Sequence, residues 1–424
     1  MAKPTLISLY SGAGGLDYGF EAADFETGAC VELDHDCCVT LRHARKRWNV
    51  IERSIFDVPT EQMLEACGTK QGQLDLLIGG PPCQPFSKAG YWARGDSARL
   101  EDPRANTLSA YLRVLEEAKP QAFLLENVEG LAYAGKDEGL RHLLDGIERI
   151  NKRTKSNYRP VVQVVNAASF GVPQLRQRVF VIASRDGQTF SFPRPTHGEP
   201  QQGMLFKDDS LEPYRTAWDA LADIGAEVGD EDLDIRGKWA ELLPSIPEGQ
   251  NYLWHTDRGM DRARAEGLRP GRALFGWRRR YWTFLLKLAK IRPSWTIQAQ
   301  PGPAVGPFHW NNRRMSRREL CRIQTFPDDV VIQGGRTSVQ KQVGNAVPSL
   351  LGEVFGRAIR TQLLGLSDLR GQPKLLPPKQ LRTPIPEEYA DVPRKFRGLE
   401  GEHSAHPGTG MGHRARTREA HDQA

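Results

Sequence analysis

The 424-residue sequence lacks any apolar run close to the roughly 18 residues needed to cross a lipid bilayer. Its first residues, MAKPTLISLYSGAGG, offer only a short apolar stretch before a glycine cluster, unlike a secretory signal peptide. None of the six cysteines belongs to a Cys-x-x-Cys pair, which argues against a structural zinc site. These absences predict a cytoplasmic protein with reduced cysteines, no metal site and no membrane contact.

Charge is unevenly distributed along the chain. Residues 258–322 contain 16 Lys and Arg against three Asp and Glu, whereas residues 207–248 contain four against 12. The basic stretch is interleaved with aromatic residues, a composition that suits a polyanion such as DNA. A solvated charged face is the alternative, and charge alone does not decide between them. The tryptophans and tyrosines of this stretch are Trp277, Tyr281, Trp282, Trp295 and Trp310.

The first ~190 residues alternate between strand-like and helix-like patterns, the order of a doubly wound α/β fold. Helical patterns at 108–119 and 139–151 lie between short apolar runs that we interpret as buried parallel strands. Ligands of such sheets bind at the carboxyl ends of the strands. The apolar runs are at 5–10, 74–78, 122–125 and 179–183.

The pattern changes after Pro195, which sets the predicted domain boundaries. Residues 1–195 are expected to form one domain, and residues 196–312, rich in Gly, Pro, Trp and charge, a second and smaller one. Regular pattern returns over 313–364, with a helix predicted from Pro348 to about residue 364. Residues 365–424 carry proline clusters and a polar end, so we expect a disordered tail.

A glycine-rich turn follows the first predicted strand. Ser11–Gly15 (SGAGG) would let the backbone turn sharply and approach a ligand, with a helix beginning at Leu16. Glu32 ends the next strand, where a carboxylate can accept hydrogen bonds from ribose hydroxyls. The third glycine of a dinucleotide fingerprint is replaced by Asp17, and no phosphate-binding loop is present. A nucleoside cofactor without pyrophosphate therefore fits better, with a merely tight turn as the alternative.

Chemically active side chains follow two further strands. Cys83, in GGPPCQPFS, comes directly after the 74–78 strand, and two prolines fix the backbone before it. Glu126 follows the 122–125 strand and is expected in the same crevice. In QLRQR, alternation along a strand would put Gln174, Arg176 and Arg178 on one face, where the arginines could bind phosphate or carboxylate. The alternatives are a structural cysteine and an exposed edge strand.

These segments together resemble bacterial DNA (cytosine-5) methyltransferases of the restriction–modification type, over roughly residues 4–362. The resemblance implies a Rossmann-like fold that uses S-adenosylmethionine, with 196–312 in the place of the target-recognition domain. The motifs occur in the order SLYSGAGGLDYGF, VELD, GGPPCQPFS, ENV, QLRQR, RRELCRIQTFPDD and QKQVGNAVPSLL.

The resemblance also implies roles at the reacting base. Cys83 would add to carbon 6 of a flipped-out cytosine, and Glu126 would contact N3 and the exocyclic amine. Arg176 would hold the base and help to position the cysteine. Arg178 would support the base or contact a backbone phosphate. Carbon 5 would then take the methyl group.

The implied S-adenosylmethionine site draws on several motifs. Ser54 stands where the family usually has an Asp that contacts the adenine amine, so one hydrogen bond is weakened. Asn345 comes from the last motif, so the catalytic domain is expected to be discontinuous, with 313–364 returning to it. The implied cofactor residues are Tyr10, Ser11, Gly12, Gly14, Gly15, Leu16, Glu32, Leu33, Ser54, Ile55, Pro82, Leu108 and Asn345.

DNA contacts are implied in two regions, although exposed arginines with no such role are the alternative. The segment 87–104 resembles the family's mobile catalytic loop. Double-stranded DNA is the implied substrate, a paired restriction endonuclease the functional partner and a monomer the expected state. Loop candidates are Ser87, Lys88, Arg94, Arg99 and Arg104; recognition candidates are Arg272, Arg278, Arg279, Arg280, Arg313 and Arg314.

Three other interpretations are weighed. An RNA cytosine-5 methyltransferase is disfavoured by the large variable region and by the absence of a Cys-Phe-Thr tripeptide. An inactive DNA-binding relative is disfavoured because Cys83, Glu126 and Arg176 are all present. A nicotinamide-dependent oxidoreductase is disfavoured by Asp17 in place of the third glycine and by the PPCQ segment.

Overall fold

The computed structural model describes residues 3–82, 106–132, 138–199, 211–224, 231–277 and 281–403. The chain divides into two compact units, each assembled from separated stretches. The first comprises Met1–Gly225, Trp295–Gln300 and Arg317–Gln380, and the second comprises Ala226–Ser294, Pro301–Ser316 and Leu381–Ala424. The first unit therefore continues past the boundary predicted at residue 195.

A seven-stranded sheet forms the centre of the first unit, with strand order β3-β2-β1-β4-β5-β8-β6. The chain builds outward from β1 in one direction and from β4 in the other, so the order reverses between these two neighbours. Their carboxyl ends therefore border the crevice where such sheets bind ligands. The strands are β1 (Thr5–Leu9), β2 (Glu26–Glu32), β3 (Asn49–Glu52), β4 (Leu76–Gly79), β5 (Ala122–Val128), β6 (Val161–Asn166) and β8 (Gln177–Ser184).

Strand β8 corrects the prediction that residues 179–183 form a parallel strand. It pairs antiparallel with both β5 and β6. The connection from β6 contains only a short 3-10 helix, Ala167–Phe170, and the two-residue strand β7 (Gln174–Leu175). A parallel crossover needs a dozen or more residues. The connection between β6 and β8 is shorter, so the chain returns in the opposite direction. Strand β6 was missed because it is a partly exposed edge strand.

Helices cover both faces of this sheet and bury an apolar cluster on each side. The last long helix packs on the first through glycines, since a Cβ on Gly19 would lie 2.2 Å from the carbonyl oxygen of Ser349. The helices of this unit are α1 (Gly15–Ala22), α2 (His35–Ala44), α3 (Thr60–Ala66), α4 (Asn106–Ala118), α5 (Glu138–Thr154), α6 (Ala217–Leu221), α8 (Arg317–Ile323), α9 (Arg336–Asn345) and α10 (Ser349–Gln362). Its 3-10 helices also include Ile55–Asp57 and Glu129–Ala132.

Short elements connect or extend these layers. Strands β9 (His197–Gly198) and β10 (Glu212–Pro213) pair in parallel. Strand β11 is Ser294–Trp295. Among the residues that the structure describes, no helix is both long and apolar enough to cross a membrane.

The second unit contains little regular structure and is held together by an aromatic core. Its elements are α7 (Asp257–Ala265) and the 3-10 helices Ala240–Ser245, Tyr252–His255 and Arg394–Leu399. Trp254 is fully buried in this core, and Trp239 stacks on Phe396 with ring centroids 5.7 Å apart. Both partners of that stack come from stretches more than a hundred residues apart in the chain.

The prediction of a disordered tail from residue 365 is wrong for its first part. Residues 365–380 belong to the first unit and residues 381–403 to the second. Val392 and Phe396 are almost fully buried in the core of the second unit. Hydrogen bonds also fix this polar, proline-rich stretch, such as those from the N–H groups of Lys374 and Leu375 to Glu353. Composition alone does not show such contacts. Residues 404–424 lie outside the described part of the chain.

Candidate active site

At the glycine turn that follows β1, three alternate residues adopt left-handed backbone conformations. Tyr10 has φ 57°, Gly12 φ 54° and Gly14 φ 83°. A Cβ on Gly12 would meet no atom within 4 Å, so this position faces open space. A Cβ on Gly15 would lie 2.3 Å from the carbonyl oxygen of Val347. One glycine therefore keeps room above the turn, and another permits close packing beneath it.

Glu32, at the carboxyl end of β2, is fixed by backbone amides. Its Oε2 accepts a hydrogen bond from the N–H of Gly12 at 2.8 Å. Its Oε1 accepts from the N–H groups of Leu33 and Asp34, each at 2.8 Å. A carboxylate has about four acceptor positions, so about one remains for a ligand. Beside it the Leu33 side chain is 69% exposed, an apolar surface at the rim of the turn.

Tyr10 and Ser54 already have hydrogen-bond partners within the protein. The Tyr10 hydroxyl donates to the carbonyl oxygen of Thr107 at 2.8 Å, and burial raises the pKa of this phenol. The Ser54 hydroxyl accepts from the N–H of Phe56 at 3.4 Å and caps the 3-10 helix Ile55–Asp57. Ser54 is therefore used in local structure at the position where the family's Asp was expected.

The remaining cofactor candidates lie in the same unit. Ser11 donates its hydroxyl hydrogen to Ser8 Oγ at 2.9 Å. Pro82 and Asn345 are exposed. The buried candidates are Leu16, Ile55 and Leu108.

Cys83 lies outside the described residues, but the backbone that leads to it is described. Asn127 Nδ2 donates to the carbonyl oxygen of Pro81 at 3.2 Å, and the Thr107 hydroxyl donates to that of Pro82 at 3.5 Å. These anchors were missed by sequence reasoning, although Asn127 is the middle residue of the ENV motif. Also outside the described residues are Ser87, Lys88, Arg94, Arg99, Arg104, Arg278, Arg279 and Arg280.

Glu126 and Arg178 form an ion pair near the carboxyl end of β5. Arg178 Nε lies 2.9 Å from Glu126 Oε1, and their side chains are only 15% and 11% exposed. A Cβ on Gly80 would lie 2.9 Å from Glu126 Oε2, so this carboxylate borders the backbone that leads to Cys83. Burial raises the pKa of Glu126, and the nearby Arg178 and Arg176 partly oppose that shift.

The segment QLRQR is interrupted as a strand between β7 and β8, but its burial still alternates. Gln174 and Arg176 are fully buried and joined by a hydrogen bond from Arg176 Nη1 to Gln174 Oε1 at 3.4 Å, whereas Gln177 is exposed. Arg176 is fully buried and donates from Nη2 to the carbonyl oxygen of Gly344 at 2.8 Å and from Nη1 to that of Ile297 at 3.3 Å. Arg178 is the arginine that pairs with Glu126. Within the described residues, the Nε–H of Arg176 has no acceptor.

Among the described recognition candidates in the second unit, the side chains of Arg272 and Arg313 have protein partners. Both carboxylate oxygens of Glu400 accept from Arg272 Nη1, at 2.8 and 2.9 Å. Arg313 donates from Nη1 to the carbonyl oxygen of Arg314 at 2.9 Å. Within the described residues, no group of three or more potential metal-ligating side chains is present.

Comparison with known proteins places this geometry in one family. The model of C-5 cytosine-specific DNA methylases matches residues 5–361. The chain is 41% identical to the Type II methyltransferase M.SacI of Streptomyces achromogenes, over 86% of this chain and 95% of that protein. It is 33% identical to the Type II methyltransferase M.NgoFVII of Neisseria gonorrhoeae, over 82% and 83% respectively.

A solved structure shares the fold at low sequence identity. The Entamoeba histolytica methyltransferase EhMeth superposes with a TM-score of 0.53 at 15% identity, covering 86% of this chain and 99% of that one. At this identity the likeness concerns the fold alone. With the match of the family model across most of the sequence, the chain belongs to the C-5 cytosine-specific DNA methylase family and is a DNA cytosine-5 methyltransferase.

Proposed function

We propose that this enzyme transfers a methyl group from S-adenosylmethionine to carbon 5 of cytosine in a specific duplex DNA sequence, and so protects that sequence from a restriction endonuclease. The observation that carries the proposal is the buried ion pair of Glu126 and Arg178 beside Gly80, in the backbone that leads to Cys83. Glu126, near the end of β5, and Arg178, at the start of the antiparallel β8, lie at the edge of the sheet where β4 ends.

The residues at the glycine turn fit S-adenosylmethionine, which supplies an electrophilic methyl group on a sulfonium. Gly12 faces open space that a side chain would fill, and Glu32 retains about one acceptor position for a ribose hydroxyl. The exposed Leu33 offers an apolar surface for adenine. Asn345, exposed at the end of α9, and Pro82 would complete the site.

Cys83 would act as the nucleophile, because carbon 5 of cytosine is itself a poor one. Addition of the Cys83 thiolate to carbon 6 pushes the ring's π electrons towards carbon 5, which then accepts the methyl group. Loss of the carbon 5 proton and breakage of the sulfur–carbon 6 bond restore the aromatic ring and the thiolate. A water molecule would take that proton.

Glu126 would stabilise the ring during the attack of Cys83. Burial raises the pKa of its carboxyl group, so it holds a proton more readily than an exposed glutamate. A protonated Glu126 can donate to N3 as negative charge develops there, and its other oxygen can accept from the exocyclic amine. Arg178 lies next to that carboxylate and would contact the base or its phosphate. Fully buried Arg176 would act instead by positioning this segment.

The target base would have to leave the helix, since carbon 6 is not accessible to a thiol within stacked DNA. The segment 87–104, with Ser87, Lys88 and Arg99, would close over the extruded nucleotide. The second unit would read the flanking sequence, with Arg278, Arg279 and Arg280 as DNA-contacting residues.

Sequencing of every cytosine tests this proposal. Purified protein and S-adenosylmethionine are incubated with unmethylated plasmid, which is then read by bisulfite sequencing, with Cys83→Ala as the matched control. We expect protection at one recurring short sequence with the wild type and none with the variant. Full conversion at all cytosines, from protein shown to be folded, would contradict the proposal, and methylation of transfer RNA alone would favour an RNA substrate.

Two further assays address the covalent step and the biological role. A duplex with 5-fluorocytosine at the target cannot release a proton from carbon 5, so wild-type protein should form an adduct stable to denaturing electrophoresis. Plasmid recovered from cells that express the enzyme should resist an endonuclease that cuts the identified sequence. Cutting at that sequence as in unmodified plasmid would contradict the protective role.

A further inference from the structure

A buried side-chain amide is hydrogen-bonded both to the segment that carries Arg176 and Arg178 and to the segment that contains Asn345. Gln324 follows α8 and is fully buried. Its Oε1 accepts a hydrogen bond from Gln174 Nε2 at 3.0 Å. Its Nε2 donates to the carbonyl oxygens of Val343 at 2.6 Å and Ala346 at 3.3 Å. Three hydrogen bonds therefore fix the orientation of this side chain.

On one side, Gln324 supports the segment that carries the two arginines. Gln174 Oε1 accepts from the backbone N–H of Ile297 at 3.1 Å and from Arg176 Nη1 at 3.4 Å. Arg176 in turn donates to the carbonyl oxygen of Gly344 at 2.8 Å. Two residues further along the chain, Arg178 pairs with Glu126. A displacement of Gln174 would therefore move the segment that leads to the base-binding arginine.

On the other side, Gln324 supports the end of the cofactor site. Val343 and Ala346, whose carbonyl oxygens it binds, stand on either side of Asn345 in the sequence. The backbone carbonyl of Gln324 also accepts from the N–H of Ser349 at 3.1 Å, where α10 begins. Helix α10 packs on α1, which starts in the glycine turn. Both parts of the proposed cofactor site, the glycine turn and Asn345, therefore adjoin segments that are hydrogen-bonded to Gln324.

We propose that Gln324 is a positioning residue that couples binding of the methyl donor to binding of the target DNA, a role that rests on the proposed function. Buried polar groups that satisfy one another form a stiff network, because breaking any member leaves its partner without a hydrogen bond. A small shift of Asn345 on cofactor binding is thereby transmitted to Gln174 and the arginine segment. By thermodynamic linkage the effect is reciprocal, so DNA tightens cofactor binding by the same factor.

The coupling factor itself provides the test. S-adenosylhomocysteine, the demethylated product of the donor, is titrated calorimetrically into the full-length enzyme with and without the cognate duplex. The ratio of the two dissociation constants is the coupling factor. We expect roughly 5–150-fold for the wild type, the range typical of coupled sites, and less than about twofold for Gln324→Met, which keeps the length but not the hydrogen bonds.

Gln342→Met is the matched control. Gln342 is also buried and makes three side-chain hydrogen bonds, to Thr40 Oγ1, to the carbonyl oxygen of Gln333 and to Ser338 Oγ. None of these reaches Gln174. We expect Gln342→Met to lower the melting temperature about as much as Gln324→Met while it retains the wild-type coupling factor. A general loss of packing would instead affect both variants alike.

The outcomes separate this inference from the proposed function. A wild-type enzyme that neither binds S-adenosylhomocysteine nor methylates DNA contradicts the proposed function. An active wild type whose coupling factor is unchanged in Gln324→Met, or is close to one from the start, overturns the role of Gln324 alone. If Gln324→Met does not fold, Gln174→Met removes the same 3.0 Å hydrogen bond from the other side. Its coupling factor should likewise fall below about twofold.

Discussion

The guanidinium of Arg178 contacts the carboxylate of Glu126 at 2.9 Å, across the antiparallel pair of strands β5 and β8. Val128 is the register partner of Arg178, so the arginine side chain reaches back along the neighbouring strand by two residues. The pair is largely buried, and loss of either member leaves the other charge without its partner. A substitution that preserves volume and polarity should therefore affect mainly the chemistry. One that does not should also destabilise the fold.

Glu126→Gln should lower kcat by roughly 10²–10⁴-fold, because an amide occupies the same volume but cannot give a proton to N3. The change should leave the dissociation constant for S-adenosylmethionine within about twofold, since Glu126 is not among the cofactor residues. Single-turnover methylation and calorimetry measure the two quantities. A kcat within tenfold of wild type would rule out proton donation by Glu126.

Replacement of the two arginines of QLRQR should have different effects on activity and on stability. Arg178→Gln, which keeps a polar side chain beside Glu126, should reduce methylation strongly and retain the melting temperature better than Arg176→Met. Arg176→Met leaves the buried carbonyl oxygens of Gly344 and Ile297 without their donor, at a cost of about 1–3 kcal/mol each. Thermal unfolding and kcat are measured for both variants. Equal destabilisation by the two changes would contradict these separate roles.

Gly12→Ala should weaken cofactor binding more than it weakens the fold. Its φ of 54° costs an L-residue about 1–2 kcal/mol, whereas the added methyl group meets no protein atom. That methyl group would instead occupy the space assigned to the cofactor. We expect at least a tenfold rise in the dissociation constant for S-adenosylmethionine. Gly68→Ala, at φ 62° with equally open space, is the matched control and should leave that constant unchanged.

Phe396→Ala should destabilise the second unit by roughly 3–5 kcal/mol, the range for a buried aromatic truncated to alanine. Phe396 stacks on Trp239, so tryptophan fluorescence can follow the loss directly. Leu399→Ala is the control, because Leu399 is 37% exposed in the same 3-10 helix. Similar melting temperatures for the two variants would show that the tail does not support this core.

The second unit should lose stability as the pH falls from about 6.5 to about 4. Burial lowers the pKa of His255 to about 4, and its Nδ1 accepts from the backbone N–H of Arg272 at 3.3 Å. Between the two pKa values only the unfolded state binds the proton, so stability is full above about 6.5 and declines below it. The total loss in free energy of unfolding amounts to about 3 kcal/mol.

His255→Gln should flatten that dependence. Urea unfolding between pH 4 and 8, followed by tryptophan fluorescence, compares the variant with the wild type. The same slope in both proteins would assign the acid sensitivity to other groups.

Sequence reasoning succeeded where the determinants are local. Buried strands such as Leu76–Gly79 are recognisable in the sequence as apolar runs, and the glycine turn is formed by consecutive residues. The direction of β8 was not readable, because it depends on β6, an edge strand with little apolar pattern. Register and direction are set by partners far away in the sequence.

The division of labour between the arginines was equally hidden from the sequence. The partners of Arg176 are Ile297 and Gly344, which lie 121 and 168 residues further along the chain. Gln324 escaped notice for the same reason, since its partner Gln174 precedes it by 150 residues. The tail was misjudged because burial of Phe396 depends on a core whose other members, apart from Val392, precede it by 88 to 154 residues.

The contribution of Val392 and Phe396 to the core of the second unit has a consequence during translation. Leu242 and Trp254 leave the ribosome long before the side chains that cover them, and at about 5–20 residues per second roughly 8–30 s separate Leu242 from Phe396. During that interval the nascent second unit exposes apolar surface. A slow pause late in the message should therefore increase aggregation, because it lengthens the time for which this surface stays uncovered.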